Sequence, residues 1–287
     1  MAMSIGGGIS DLEKLLGKRI QSFRLSAGLT QQQLCNKASI SYSTLTKIER
    51  GAIKSPSIFT VNSIASAIGI SLDELIGTRG EETRQLKKSP SGISFIFFDV
   101  NGCLVRFSQR AFINIAEDYG VSPDVVETAS WYFNDEACRG TLSPKEFNIK
   151  LAEKIGIKDI DWYKYYLEAA EPVPGMDELI KSLSQSFRVG LLRNIMPGLL
   201  SSLRRAHKIP DISYDMVIDS SEVGHIKPEA EIYKLAQEKA GVSGQEILFV
   251  DDTKTNLMAA EEFGWHVLWF DYARPDESQD SIRLSLK

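Results

Sequence analysis

Apolar residues recur at helical spacing through the first quarter of the chain, and unbroken apolar runs of strand length take over after residue 92. Leu12, Leu16, Ile20 and Phe23 stand three and four residues apart, which predicts one buried stripe on a first helix. Ser10-Asp11-Leu12-Glu13 reads as its capping box and Gly28 as its stop. Thr30-Gln31-Gln32-Gln33 opens a second helix with Leu34 and Ala38 inward. Ser41 caps a third, whose Leu45 and Ile48 face inward before Gly51 ends it. Residues 56–68 form a fourth, and Ser71-Leu72-Asp73-Glu74 starts a short fifth. Helices this short are unstable alone and must share a core. The pattern therefore predicts a small all-α domain over residues 10–78. Residues 79–92 are polar, charged and aperiodic, which predicts a linker.

The stretch 93–106, ISFIFFDVNGCLVR, changes the period. Phe95 to Phe98 is a short apolar run closed by the Asn101-Gly102 turn signal, and it reads as a fully buried strand. Further strands are expected at 187–192, 216–219, 247–251 and 267–270, with helices at 177–184, 197–206, 228–240 and 254–263 between them. Alternation of this kind predicts a parallel sheet covered on both faces. Residues 108–172 interrupt it with mostly helical patterns, including the capped start Ser143-Pro144-Lys145-Glu146. The fold class expected is multidomain, an all-α unit followed by a Rossmann-like α/β domain over 93–287.

Open α/β sheets place their chemistry beyond the carboxyl ends of the strands. Asp99 ends the first run, and EILFVDD delivers Asp251 and Asp252 at the end of another. Lys227 stands between them in His225-Ile226-Lys227-Pro228. Asp99 by itself is ambiguous, because Asp before Asn-Gly is also an ordinary turn. Three carboxylates and a lysine at one sheet edge suit a divalent cation and a phosphoryl group together. In the amino-terminal domain, helices two and three are separated only by Ala38-Ser39-Ile40, the short connection of a helix-turn-helix.

GLTQQQLCNKASISYSTLTKIERGAIKSPS resembles the phage-repressor (Cro/CI, or XRE) family. That resemblance implies a third helix laid in the major groove of double-stranded DNA, and dimers on paired half-sites. By position, Ser41, Tyr42, Ser43, Thr44 and Lys47 project from the exposed face of that helix. Gln31 is placed to meet a phosphate or base, and Lys54 the backbone. Ser41 as a mere cap and Lys47 as a solvated charge stay open as alternatives. By analogy with the family, Arg24 and Glu49 make a structural ion pair.

VGHIKPEAEIYKLAQEKAGVSGQEILFVDDTKTNLMAAEEFGW, residues 223–265, resembles the haloacid dehalogenase (HAD) superfamily. It looks like the branch with glucose-1-phosphatase-like enzymes and the phosphatase domain of mammalian epoxide hydrolase. The resemblance spans residues 93–270. It implies Asp99 as nucleophile beside Lys227, and Mg²⁺ held by Asp99, the backbone carbonyl of Asn101, Asp251 and Asp252. Asn256 matches a position that the family fills with Asn or Asp. The insertion at 108–172 resembles the small helical cap of such enzymes. Its Trp131, Tyr132, Phe133 and Arg139 are candidates for the substrate side, with cap core as the alternative.

Two departures bear on activity. Asn101 stands where the family has its acid–base Asp, and loss of such help typically costs about 10² to 10⁴ in rate. Arg193, in Leu192-Arg193-Asn194, replaces the Thr/Ser that orients the phosphoryl group. With Asn194 and Lys227 it could bind a phosphorylated ligand; it could equally pair with Asp99 or Asp251 and close the site.

Charge sharpens this picture. Residues 1–90 hold 12 Lys and Arg against 7 Asp and Glu, and the remainder holds 21 against 31, so a polyanion is expected to meet only the amino-terminal part. No apolar run is long enough to span a bilayer, and MAMSIGGGIS lacks the regions of a signal peptide. Cys35, Cys103 and Cys138 form no motif, which suits free thiols in a reducing bacterial cytoplasm. The expected function is a sequence-specific, dimeric transcriptional regulator. Its HAD-like domain would act as sensor or dimerisation module, with little or no phosphatase activity. The alternative is an active Mg²⁺-dependent phosphatase carrying a DNA-binding domain.

Overall fold

The structure is a computed structural model that describes residues 8–70, 72–76, 84, 86–106 and 109–287. By contacts the chain divides into two units, Met1–Thr83 and Arg84–Lys287. Among the described residues no helix is long and apolar enough to cross a membrane. All three cysteines are free and buried.

The first unit holds helices α1 (Gly8–Ser26), α2 (Gln31–Ala38), α3 (Tyr42–Glu49), α4 (Ile58–Ile68) and α5 (Leu72–Ile76). Helix α1 starts ahead of Ser10; the side chains of the expected capping box there, and Ser71, lie outside the described residues. Thr30 and Gln33 form the capping box of α2. The Ser41 hydroxyl accepts from the Thr44 amide at the start of α3. Helix α4 begins two residues later than the pattern suggests, because Ser57, accepting from the Thr60 amide, is its N-cap. Between α2 and α3 the chain turns at Ser39, a non-glycine residue with φ 54°. Ile20, Leu34, Leu45, Ile48 and Ile64 close the core of this unit.

The second unit runs β1 (Phe95–Phe98), β2 (Val105–Arg106), α6 (Arg110–Tyr119), α7 (Pro123–Cys138), α8 (Pro144–Ile155), α9 (Trp162–Ala169) and β3 (Glu171–Pro172). It continues with α10 (Met176–Leu183), β4 (Arg188–Arg193), α11 (Leu199–Arg205), β5 (Met216–Asp219), α12 (Ser220–Val223) and α13 (Ala230–Ala240). It ends with β6 (Ile247–Asp251), α14 (Lys254–Glu262), β7 (His266–Trp269) and α15 (Pro275–Ser285). Boundaries depart from the sequence expectation by one or two residues, the usual uncertainty of fraying ends. Helices α6 to α9 form the cap, joined to the body through the antiparallel pair β2–β3.

The main sheet has the order β5-β4-β1-β6-β7, with every pair parallel. All four residues of β1 are buried. Strand alternation sends Ile96 and Phe98 into the core shared with the cap, and Phe95 and Phe97 into the core under α13 and α14. Phe97 stacks on Trp265 with ring centroids 5.7 Å apart. On the neighbouring strand Gly190 makes room for the two phenylalanines, since a Cβ there would lie 2.8 Å from Phe97 and 2.9 Å from Phe95.

That close approach yields a test. Gly190→Ala is expected to destabilise this unit by about 1–3 kcal/mol through overpacking, read as a lower urea midpoint. An unchanged midpoint would show that the two rings are not packed against the strand as described.

Candidate functional site

Register creates the site. Phe98 pairs with Val250, and the Asp99 amide donates to the Val250 carbonyl at 2.9 Å. The next residue on each strand is an aspartate, so Asp99 and Asp251 emerge side by side at the carboxyl edge of the two central strands. Two buried like charges cannot stay together uncompensated. The Lys227 ammonium resolves this by donating to Asp99 Oδ1 and Asp251 Oδ2, both at 2.6 Å, and all three groups are buried. Burial works against charge on Lys227, but Asp251 and Asp99 outweigh it and hold its pKa above the ordinary value. Asp99 is pushed up by burial, then by the neighbouring carboxylates, with Lys227 pulling the other way.

Lys227 is itself held in place. The Asn194 side chain accepts from the Lys227 amide and donates to its carbonyl, both at 2.8 Å. Asp251 also accepts from the Thr253 amide at 2.7 Å and from Asn256 Nδ2 at 3.1 Å on each oxygen. Asp252, half-buried, accepts from the Thr253 hydroxyl at 3.1 Å. Burial and the adjacent Asp251 push its pKa up to about 6. Gly102 (φ 85°) lets the first loop pass this carboxylate, because a Cβ there would lie 2.0 Å from Asp252 Oδ2.

Arg193 calls for a correction. It binds neither Asp99 nor Asp251, and it does not line the cavity over them. Parallel register sets it opposite Asp219, the last residue of β5, and the two form a buried ion pair. Burial lowers the guanidinium pKa to about 10, and Nε and Nη1 have no partner among the described residues. Asp219 escaped the sequence reading, since register between strands is not legible from either one. Tyr166 escaped it too. This α9 residue reaches down from the cap and donates its hydroxyl to Asn101 Oδ1. Burial, then Asp99, raises the phenol above its ordinary pKa, so it keeps its proton at neutral pH.

The donor set fits magnesium. One oxygen each of Asp99, Asp251 and Asp252 lie within 4.8 Å of one another, and hard carboxylate oxygens are what that ion prefers. Asp251 is already saturated by Lys227, Thr253 and Asn256, which leaves Asp99 and Asp252 as the more available ligands. A second group, His225, Glu229 and Glu231, has similar spacing. Its Glu229, however, is paired with Arg139 and accepts from the Ile226 amide at 3.1 Å.

A cavity of about 500 Å³ opens above the carboxylates. Its floor is Asp99, Asn101, Lys227 and Asp252, and its roof comes from the cap, with Phe112, Trp131, Trp162 and Tyr166. Of the four cap residues singled out by sequence, Trp131 lines this space. Phe133 is core, Tyr132 packs outside against Phe133 and Lys154, and Arg139 pairs with Glu229. The cap is tied to the body elsewhere too. Tyr163 donates to the Pro197 carbonyl and Ser220 to the Cys138 carbonyl, both at 2.6 Å.

In the helical unit, Tyr42, Ser43, Lys47 and Lys54 are exposed and Thr44 half-buried. Ser41 acts as a cap, its hydroxyl also 2.8 Å from that of Thr44. Gln31 donates to Glu49 at 2.7 Å and accepts from the Tyr42 hydroxyl at 2.9 Å. Arg24 and Glu49 form the buried bidentate pair expected of them, at 2.7 and 3.2 Å. Gln31 and Tyr42 thus join a network anchored in the core.

Comparison with known proteins agrees with both halves. The model of haloacid dehalogenase-like hydrolases matches residues 93–264, and the helix-turn-helix model HTH_3 matches residues 20–75. The uncharacterized HTH-type transcriptional regulator y4dJ of Sinorhizobium fredii is 34% identical over 73 residues, which are 25% of this chain and 92% of that protein. The sesquiterpene phosphatase astK of Aspergillus oryzae is 24% identical over 172 residues, 58% of this chain and 84% of that protein. A HAD family enzyme of Bacteroides thetaiotaomicron, bt-2542, solved with magnesium and inorganic phosphate, superposes with a TM-score of 0.51. It is 22% identical, over 62% of this chain and 94% of its own, and so supports the fold alone.

The position of Asp252 generates a prediction. Its raised pKa means the charged form opposes folding above about pH 6, and that penalty fades as pH falls toward the ordinary 3.8. Without divalent ions, Asp252→Asn is therefore expected to raise the melting temperature at pH 7.5 by about 2–4 °C, equivalent to about 1 kcal/mol. It should also remove most of the rise that Mg²⁺ gives the wild type. A full Mg²⁺-dependent rise in the variant would exclude Asp252 as a ligand.

Proposed function

We propose, from the premise that this chain belongs to the haloacid dehalogenase-like hydrolase family and carries a helix-turn-helix domain, that it is a sequence-specific transcriptional regulator. Its hydrolase-like body senses a phosphorylated small molecule and turns it over slowly or not at all. One observation carries this reading, the hydrogen bond from Tyr166 to Asn101. The position two residues past Asp99 is an amide, which cannot take a proton from water. Its oxygen is already held by a phenol that keeps its own proton. Withholding general acid–base help of this kind costs about 10² to 10⁴ in rate.

The binding half of the site stays intact in this reading. Asp99 and Asp252 would hold Mg²⁺ beside Asp251, and the ion would supply charge neutralisation for a phosphoryl group. The Lys227 ammonium meets both Asp99 and Asp251 and offsets their mutual repulsion. Asn194 serves as a positioning residue for Lys227, and Arg193 ties β4 to β5 without meeting the ligand.

On the DNA side, Tyr42, Ser43, Thr44 and Lys47 of α3 face the major groove, with Lys54 at the phosphates. Gln31 and Ser41 orient that helix and keep spare hydrogen-bonding capacity for DNA. Few basic residues face outward, so one copy binds weakly and a homodimer on paired half-sites supplies the affinity. Ligand binding changes operator affinity by favouring one dimer geometry over another. Such a protein acts in the cytoplasm of a bacterium.

The second reading, an active phosphatase, draws on the complete Asp99, Lys227, Asp251 and Asp252 arrangement. Phosphate release from a panel of phosphomonoesters with Mg²⁺, by the purified chain beside Asp99→Ala, decides between them. The expected result is the same background in both proteins. Release that vanishes with Asp99→Ala would overturn the sensor reading. For DNA, Lys47→Ala is expected to weaken operator binding about tenfold and lower its salt dependence in a mobility-shift titration. Unchanged binding would remove α3 from the interface.

A further inference from the structure

The cavity's two ends differ in chemistry, and this asymmetry identifies the ligand more closely. Its volume of about 500 Å³ lies in the range that holds drug-sized molecules, about 300–1,000 Å³. That is far more than a phosphate ion or a short acid needs. Elsewhere in its lining, Phe112, Trp162, Met196 and Leu199 present apolar surface, and Phe112 and Trp162 stack with centroids 5.5 Å apart.

Into this apolar end α7 sends a polar stripe. Ser130 and Asn134 stand one turn apart and both line the cavity, while Val126, Ala129, Phe133 and Ala137 on the adjoining stripe of the helix are core. The Ser130 hydroxyl is the unusual member. Ser130 is only 5% exposed, and its Oγ has no hydrogen-bond partner among the described residues. Leaving a hydroxyl buried without a partner costs about 1–3 kcal/mol, so a group from a bound molecule would be favoured there.

We propose that the cavity selects a phosphomonoester with a flat apolar body that carries a hydroxyl, and that Ser130 reads this hydroxyl. The reading rests on the one above, in which the phosphoryl group lies at the Asp99 end. The body slides between Trp131 and Trp162, and its distal hydroxyl pairs with Ser130 Oγ. Small polar phosphomonoesters reach only the floor and gain nothing from the cap.

Calorimetry with non-hydrolysable probes tests this without relying on turnover. The full chain with Mg²⁺ is titrated with methylphosphonate, 2-naphthylmethylphosphonate, its hydroxylated positional isomers and 2-naphthylmethanol. The naphthyl phosphonate should bind at least about tenfold tighter than methylphosphonate. At least one hydroxylated isomer should bind tighter still, and Ser130→Ala should cost that isomer about tenfold while sparing its parent. Equal affinity for methyl and naphthyl phosphonates overturns the proposal, as does a Ser130→Ala effect shared equally by all the probes. Naphthylmethanol binding as well as its phosphonate would overturn the phosphoryl-sensor reading and leave the cap's selectivity standing. Absence of binding by every probe would overturn both.

Discussion

Everything at the sheet edge depends on a lysine held between two aspartates. Asp99 and Asp251 are neighbours because β1 and β6 run parallel in a register that ends both strands on an acid. Neither charge is tolerable in that buried position alone. Lys227 compensates both at 2.6 Å, and Asn194 fixes its backbone from the end of β4. Three strand ends are thereby joined through one lysine, two by its ammonium and one by its backbone. Replacing either acid would leave the lysine buried with half its compensation, a costlier state than losing a surface pair.

The cap and the floor are one packed body rather than a lid over an open cleft. A single core runs from β1 through α6, α7, α8 and α9, and Tyr163, Tyr166, Arg139 and the Cys138 carbonyl each meet the body. The Tyr166 contact matters most for chemistry, because it engages the side chain two residues past Asp99. The same packing encloses an apolar space far larger than a phosphoryl group, which directs attention to the body of the ligand.

The helical unit shows how a recognition surface is held rigid without many contacts of its own. Arg24 and Glu49 are buried together, Glu49 takes Gln31, and Gln31 takes Tyr42. A chain of hydrogen bonds therefore runs from the core to the exposed start of α3. Ser39 makes the turn ahead of it in the left-handed region, where a side chain is usually disfavoured. The geometry of the turn outranks local preference at that one residue.

Much of the fold is legible in the sequence. Helical spacing and caps announced the amino-terminal helices, since Thr30 and Ser41 satisfy orphan amides through chemistry local to a few residues. Apolar runs ending in acids announced the strands and the cluster of Asp99, Asp251, Asp252 and Lys227, because burial on both faces of a sheet leaves a run that reads plainly. The partners of Arg193 and Asn101 were hidden. Asp219 and Tyr166 lie 26 and 65 residues from them, and register and helix docking alone bring them close. Ser130 gave no signal either, because an unpaired hydroxyl is a property of its surroundings. Short-range periodicity sets which residues form helices and strands and which carry charge at strand ends, so these are written in the order of the residues. Which charges meet, which polar groups go unpaired and how large a space they enclose arise only on folding, because those depend on packing between distant segments.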